Sequence, residues 1–324
     1  MPTATIIRVY PRYSTSRVSF GNPKSPVTPD RQLICTTMPQ PSEHLRRLDT
    51  SMEASPWMPR IAPWALYLIF LFAISSISDQ WPISYPFMYT IQCVAVVWLM
   101  VRYRKLLPEL TFRFHWLAVP VGIGVAWMWV TIGDWITTMR PGWFQDIGTK
   151  PFFDEDQMGP IYGWLAMVLR LLGMSIAVPM FEELFNRSLL LRSLHRARPT
   201  GVGVLQALHD MPMIGDWLVT TKWGSQIGSQ PPAFRAQFDS TSYGRLSVFG
   251  VLASTAVFVS VHHPRDWVAC FLCGVIYCLV VGATRRHGLG PVIWTHGITN
   301  ASLWGYTIYC HYTSEQTVTL WPYL

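Results

Sequence analysis

Ile61-Ala62-Pro63-Trp64-Ala65-Leu66-Tyr67-Leu68-Ile69-Phe70-Leu71-Phe72-Ala73-Ile74 holds no charged side chain, and the uncharged run continues to Ser78. A stretch of this length and character is what a helix needs to cross about 30 Å of hydrocarbon. Everything before it differs. Residues 1–60 carry nine prolines and eight Lys/Arg against four Asp/Glu, without sustained periodicity, and read as a disordered, Pro-rich basic tail. That tail has no apolar segment after a basic start, so it is not a secretory signal. Further apolar runs follow at 86–101, 116–137, 161–192, 246–263, 266–284 and 289–310. The expected fold is therefore all-α: a polytopic transmembrane helical bundle of about seven spans (six to eight) over 61–310. A polar, Gly/Pro/Gln-rich stretch at 199–245 reads as a long loop, and 311–324 as a short C-terminal tail.

Composition agrees with that reading. The chain of 324 residues is 50% apolar with 16 tryptophans, and 13% of it is charged. Soluble domains average about 25% charged residues, so there is too little polar surface here to coat a water-facing globule. The net charge of +7 does not imply a nucleic-acid partner, because the basic residues sit in the tail and in short connections, where they orient spans in a bilayer. Arg102, Arg104, Lys105 and Arg113 mark one connection as cytoplasmic, whereas the turn after the first span offers Asp79 alone. The cysteines Cys93, Cys270, Cys273, Cys278 and Cys310 lie in apolar runs as small hydrophobes; Cys270 and Cys273 form a lone CxxC without a partner pair, so no metal or redox use is expected.

Ionisable residues inside spans are costly and point to function. Three groups stand out. In Pro179-Met180-Phe181-Glu182-Glu183-Leu184-Phe185-Asn186-Arg187, Glu183 and Arg187 share a helix face and can pair, while Glu182 points about 100° away. One carboxylate is neutralised and the other is left over, as a proton acceptor requires. The bland alternative is a structural ion-pair cluster at a membrane boundary. Phe258-Val259-Ser260-Val261-His262-His263 ends an apolar helix on an imidazole, which is either interfacial or functional. Trp294-Thr295-His296-Gly297-Ile298-Thr299-Asn300 places His296 and Asn300 on one face of the last span, where lipid offers them no partners. Ordinary interhelical glue is the competing explanation.

Glu-Glu-x3-Arg, Phe-x3-His and His-x3-Asn, in that order on three spans, resemble the CPBP family of intramembrane proteases, the CAAX protease and bacteriocin-processing group. Trp57, Pro59, Pro63 and Trp64, with Trp81-Pro82, Tyr85-Pro86 and Leu107-Pro108-Glu109-Leu110, are similar to its bacterial exosortase-associated branch. The resemblance implies an endopeptidase of a bacterial inner membrane that acts on a membrane-associated protein substrate, with exosortase-type sorting machinery as a candidate partner and no cofactor. It implies catalytic roles for Glu182 and His262 in activating a water and for His296 and Asn300 at the oxyanion, with Glu183 and Arg187 as the supporting pair. The substrate expected from the bacterial branch is a membrane-anchored polypeptide without a prenyl group.

Three other readings compete. Glu182, His262 and His296 would make a zinc set, although no HExxH occurs; a non-enzymatic immunity protein or export scaffold could share the fold; a transporter would show an internal repeat, which is not evident. One difficulty concerns topology. Seven simple crossings put the Glu pair near the inner end of one span and His262 at the outer end of the next, too far apart to share a water. Separate helices at 161–181 and 182–198, bent at Pro179, would remove the conflict; His263 could replace His262 if the register slips by one.

Overall fold

The structure is a computed structural model that describes residues 43–78, 80–139, 159–197, 200–209, 211, 214–228 and 233–313. Most of the basic tail (1–42), the connection 140–158 and the C-terminal tail from 314 lie outside the described residues. Among those described there are helices and no strands. They are α1 (Glu43–Ala54), α2 (Met58–Ser78), α3 (Tyr85–Arg102), α4 (Ala118–Met139), α5 (160–193), four short helices α6 (Gly201–His209), α7 (Ile214–Val219), α8 (Lys222–Gly228) and α9 (Ala233–Ser240), then α10 (Val248–Ser260), α11 (Trp267–Ala283) and α12 (Gly290–Thr313). The helical body thus begins at Glu43, ahead of the boundary read at residue 61. Where a loop is read at 199–245, four short helices stand instead. Phe234 and Phe238 on α9 supply the apolar anchors, packing with Trp57 and Leu189 in one buried cluster.

Polarity is distributed as a bilayer demands. Ile69, Phe72, Ile91, Val94, Trp98 and Trp127 face outward, whereas Gln92, Glu183, Arg187, Thr295 and Thr299 are buried. Lipid cannot satisfy polar groups, so they collect between helices. Among the described residues five helices are long and apolar enough to span: α2, α3, α4, α5 and the segment Pro264–Ala283 containing α11. α12 has 24 residues but a polar first half, and α10 has 13. At 1.5 Å per residue, α10 is about 20 Å long, short of a crossing.

That shortness resolves the topological difficulty. The run 160–193 is continuous and does not break at Pro179; it widens twice, into π-helical turns at Gly173–Ala177 and Leu184–Leu190. α10 starts beside the C-terminal end of α5, where the Ser247 hydroxyl, already accepting from Gly250 N at 3.0 Å, donates to the His195 carbonyl. From there α10 runs back antiparallel for its 13 residues, the same number that separates His195 from Glu182. It ends level with the glutamates. α11 then returns alongside α10, with Gly274 against Thr255; α12 lies along α4 and against the first π turn of α5.

A second buried charge network ties the connections to this frame. Arg60 grips Glu109 with two bonds, Nε to Oε1 at 2.7 Å and a terminal nitrogen to Oε2 at 3.0 Å, and the Ser188 hydroxyl also donates to Glu109. Burial acts to raise the Glu109 carboxyl, but the Arg60 guanidinium and Ser188 hydroxyl outweigh it and hold the group below its ordinary value. A depressed carboxyl contributes stability that is present above the unfolded-state value and lost as pH falls through the folded one. Thermal unfolding of the full chain in detergent should therefore show a fall in midpoint below about pH 4, and Glu109→Gln should lower the midpoint at pH 7 while flattening that acid limb. An acid limb unchanged by the substitution would contradict this assignment.

Candidate active site

The site is assembled from α5, α10, α11 and α12. Glu183 and Arg187 are fully buried, and their side chains meet at 3.3 Å. The guanidinium makes no hydrogen bond among the described residues. Its charge is instead balanced by Glu183 and by two aromatic faces, Phe258 at 5.0 Å and Tyr277 at 5.7 Å. Glu183 has a second partner that the one-dimensional pattern does not show: His296 Nδ1 lies 2.9 Å from its other oxygen. A carboxylate oxygen accepts, so Nδ1 is the donor, and His296 turns Nε2 toward Glu182, 4.0 Å from Oε2. Glu182 keeps a side chain that is 16% exposed while its neighbour has none. The two adjacent carboxylates are thus divided as their helical positions suggest: one locked in an ion pair, one facing a gap.

His262 arrives at the same level from the end of α10. Its Nδ1 is 2.7 Å from the Phe258 carbonyl, which can only accept, so Nδ1–H donates and the lone pair of the neutral ring is on Nε2. Its ring lies 4.5 Å from Phe258 and 6.2 Å from Trp129. His263 does something else: its Nδ1 accepts from the Arg265 amide at 3.3 Å and caps the following turn.

Asn300 is explained by Pro179. In the first π turn the Val178 amide bonds to Gly173 O, which skips Met174, and residue 179 has no N–H to offer. The Met174 carbonyl is left over, and Asn300 Nδ2 donates to it at 2.7 Å. The Asn186 amide likewise donates to the Glu182 carbonyl at 2.9 Å, so it meets the backbone of Glu182 and not its carboxylate. Asn300 and His262 line one cavity of about 240 Å³ together with Tyr67, Tyr89, Trp129 and Arg170. Among the described residues no three of His, Cys, Asp and Glu are grouped as metal ligands.

Close approach of α12 to α5 depends on one residue. A Cβ at Gly297 would lie 2.3 Å from the Ser175 carbonyl oxygen, a backbone atom that cannot step aside. Gly297→Ala should push α12 outward and carry His296 and Asn300 with it. A displacement of about 1 Å costs on the order of 100-fold in the rate of any reaction that uses both side chains, so activity should fall steeply while the thermal midpoint changes little. Unchanged activity would show that the two helices are not held in this register.

Residues 231–302 match the family model described as Rce1-like, Type II CAAX prenyl endopeptidase Rce1-like. The matched stretch includes α10, α11 and the part of α12 that carries His296 and Asn300; Glu182, Glu183 and Arg187 precede it. The match is consistent with the CPBP resemblance and is not to the exosortase-associated branch. No curated protein and no solved structure matches the chain.

Proposed function

We propose that this multi-pass membrane protein, Rce1-like over residues 231–302, is an intramembrane endopeptidase that hydrolyses a peptide bond of a membrane-associated polypeptide with a water activated by Glu182 and His262. The observation that carries the reading is the 4.0 Å gap between Glu182 Oε2 and His296 Nε2. It is too wide for a direct hydrogen bond, and a water at ordinary bonding distance from both atoms fits beside it. Glu182 takes the proton of that water, His262 Nε2 accepts its second hydrogen, and the oxygen attacks the scissile carbonyl without a covalent acyl-enzyme.

The oxyanion that forms is met by the remaining N–H of the Asn300 amide and by His296. For His296 to donate from Nε2 while Nδ1–H serves Glu183, it carries both protons. Glu182, Glu183, Arg187 and such a His296 then sum to a neutral set, which suits a site enclosed by helices. The proton on Glu182 passes to the leaving amine. No step needs a metal, so cleavage should survive exhaustive chelation. The substrate proposed is a membrane-anchored polypeptide without a prenyl group, cleaved in a bacterial cytoplasmic membrane.

Substrate-trapping proteomics tests this reading. Membranes containing the wild-type chain should accumulate new protein termini that are absent with Glu182→Gln, and the variant should retain uncleaved partners. Identical fragments from both would remove Glu182 from the reaction, and cleavage confined to prenylated peptides would overturn the substrate class.

A further inference from the structure

Three connections meet at one end of the bundle, outside the site described above: 103–117 between α3 and α4, 241–247 before α10, and 284–289 between α11 and α12. The first and third are clasped together. Leu289 N donates to the Glu109 carbonyl at 2.8 Å, Gly290 N donates to the Thr111 hydroxyl at 3.2 Å, and that hydroxyl donates to the His287 carbonyl. Gly290 lies against the Arg113 backbone, where a side chain would not fit, and the His115 and His287 rings meet edge-on at 5.4 Å. Gly244, at φ 76°, brings the second connection, with Arg245, against Arg285. The charge of this surface has one sign. Its connections carry six Lys/Arg (Arg104, Lys105, Arg113, Arg245, Arg285 and Arg286), all exposed, and one acidic residue, Glu109, which is buried and already held by Arg60.

Aromatic side chains alternate with these cations. Phe112, Phe114 and Trp116 are exposed on either side of Arg113 and His115; the exposed Trp294 indole donates to the Phe112 carbonyl at 3.1 Å, and its ring meets that of Phe114 edge-on at 6.0 Å. Three candidate spans stop or start here, at Arg102, Ala118 and Ala283, so the surface lies where hydrocarbon gives way to headgroups, the depth that exposed tryptophan favours. The geometry points to a binding site for an anionic phospholipid, with Arg113, Arg285 and Arg286 on the headgroup phosphate and Phe112, Phe114 and Trp116 beside the start of its acyl chains. A guanidinium matches a phosphate with two parallel bonds, and clustered cations at the edge of a helical bundle are the usual recognition element for such headgroups. A soluble phosphate would use the cations but gain nothing from the aromatic rings between them, and for that reason the occupant is a lipid. The site does not depend on the peptidase reading.

Lipid titration tests it. The full chain in uncharged detergent micelles is offered phosphatidylglycerol or phosphatidylcholine with the same acyl chains, and occupancy is read by native mass spectrometry. The first phosphatidylglycerol should bind about tenfold more tightly than phosphatidylcholine. The variant Arg113→Gln/Arg285→Gln/Arg286→Gln should bring that ratio to near one without moving the thermal midpoint, because the three side chains are exposed. Replacing the same three by Lys should keep part of the preference, and Arg104→Gln/Lys105→Gln should keep most of it. Phe112→Ala/Trp116→Ala should weaken binding of phosphatidylglycerol, and an excess of glycerol 3-phosphate should not displace it. Equal binding of the two lipids, or a ratio that survives the triple Gln variant, would overturn the site. An equal loss from Arg104→Gln/Lys105→Gln would replace it by a diffuse positive field, and displacement by glycerol 3-phosphate would assign the cations to a soluble phosphate; either result overturns the proposal.

Discussion

Glu182→Gln should lower kcat for peptide hydrolysis by about 1,000-fold or more with KM little changed. A positioned general base contributes on the order of 100- to 10,000-fold, and the amide that replaces it is nearly isosteric, so losses from repacking are small. The neighbouring carboxylate cannot substitute, because its oxygens serve Arg187 and His296 and its side chain is fully buried. Glu183→Gln should behave differently. It replaces the charged acceptor of the His296 ring by a weaker neutral one and leaves Arg187 without its counter-ion, so stability and activity fall together. Parallel measurement of kcat and thermal midpoint for the two variants makes the contrast plain: Glu182→Gln affects rate alone, Glu183→Gln affects both. Equal effects of the two on both readouts would mean that the carboxylates are not divided between base and ion pair.

Arg187→Met should produce the largest loss of stability among single substitutions here, about 3–5 kcal/mol, because removing one member of a buried pair strands the other charge away from water. The guanidinium also sits 5.0 Å from the Phe258 ring and 5.7 Å from the Tyr277 ring, and a thioether recovers only part of those contacts. The double variant Glu183→Gln/Arg187→Met leaves no uncompensated charge and should be less destabilised than Arg187→Met alone. Equilibrium unfolding in mixed micelles checks the order. A double variant with the summed loss of its two singles would show that Glu183 and Arg187 act independently.

What could be read from the sequence follows from how local each interaction is. The helical membrane character is carried by runs without charge, and the Glu183–Arg187 pairing by four-residue spacing. The bond from His296 to Glu183 links positions 113 residues apart, and no periodicity announces it. α10 is hidden for another reason: Val261 continues the apolar run of 246–263, so a short helix ending at Ser260 looks like a full crossing. Pro179 signals a break because it removes an N–H, but widening of the helix, with Asn300 taking the orphaned Met174 carbonyl, keeps the run continuous. Arg60 reads as a tail residue and Glu109 as part of a short Pro motif until their contact makes them one buried pair. Tyr277 stands in an apolar stretch, and only its ring 5.7 Å from the Arg187 guanidinium connects it to the site.

The central claim is that Glu182 works as a base on a water between three helices, and chemical rescue tests it most directly. In Glu182→Ala the carboxylate is gone while Glu183, Arg187, His262 and His296 remain, and the vacated space adjoins the gap at His296. The full chain in proteoliposomes, with chelator present, should lose peptide cleavage on this substitution and regain a measurable fraction when formate is added. The gain should saturate with formate and be absent in His262→Ala. Cleavage by Glu182→Ala at the wild-type rate without formate would contradict the account.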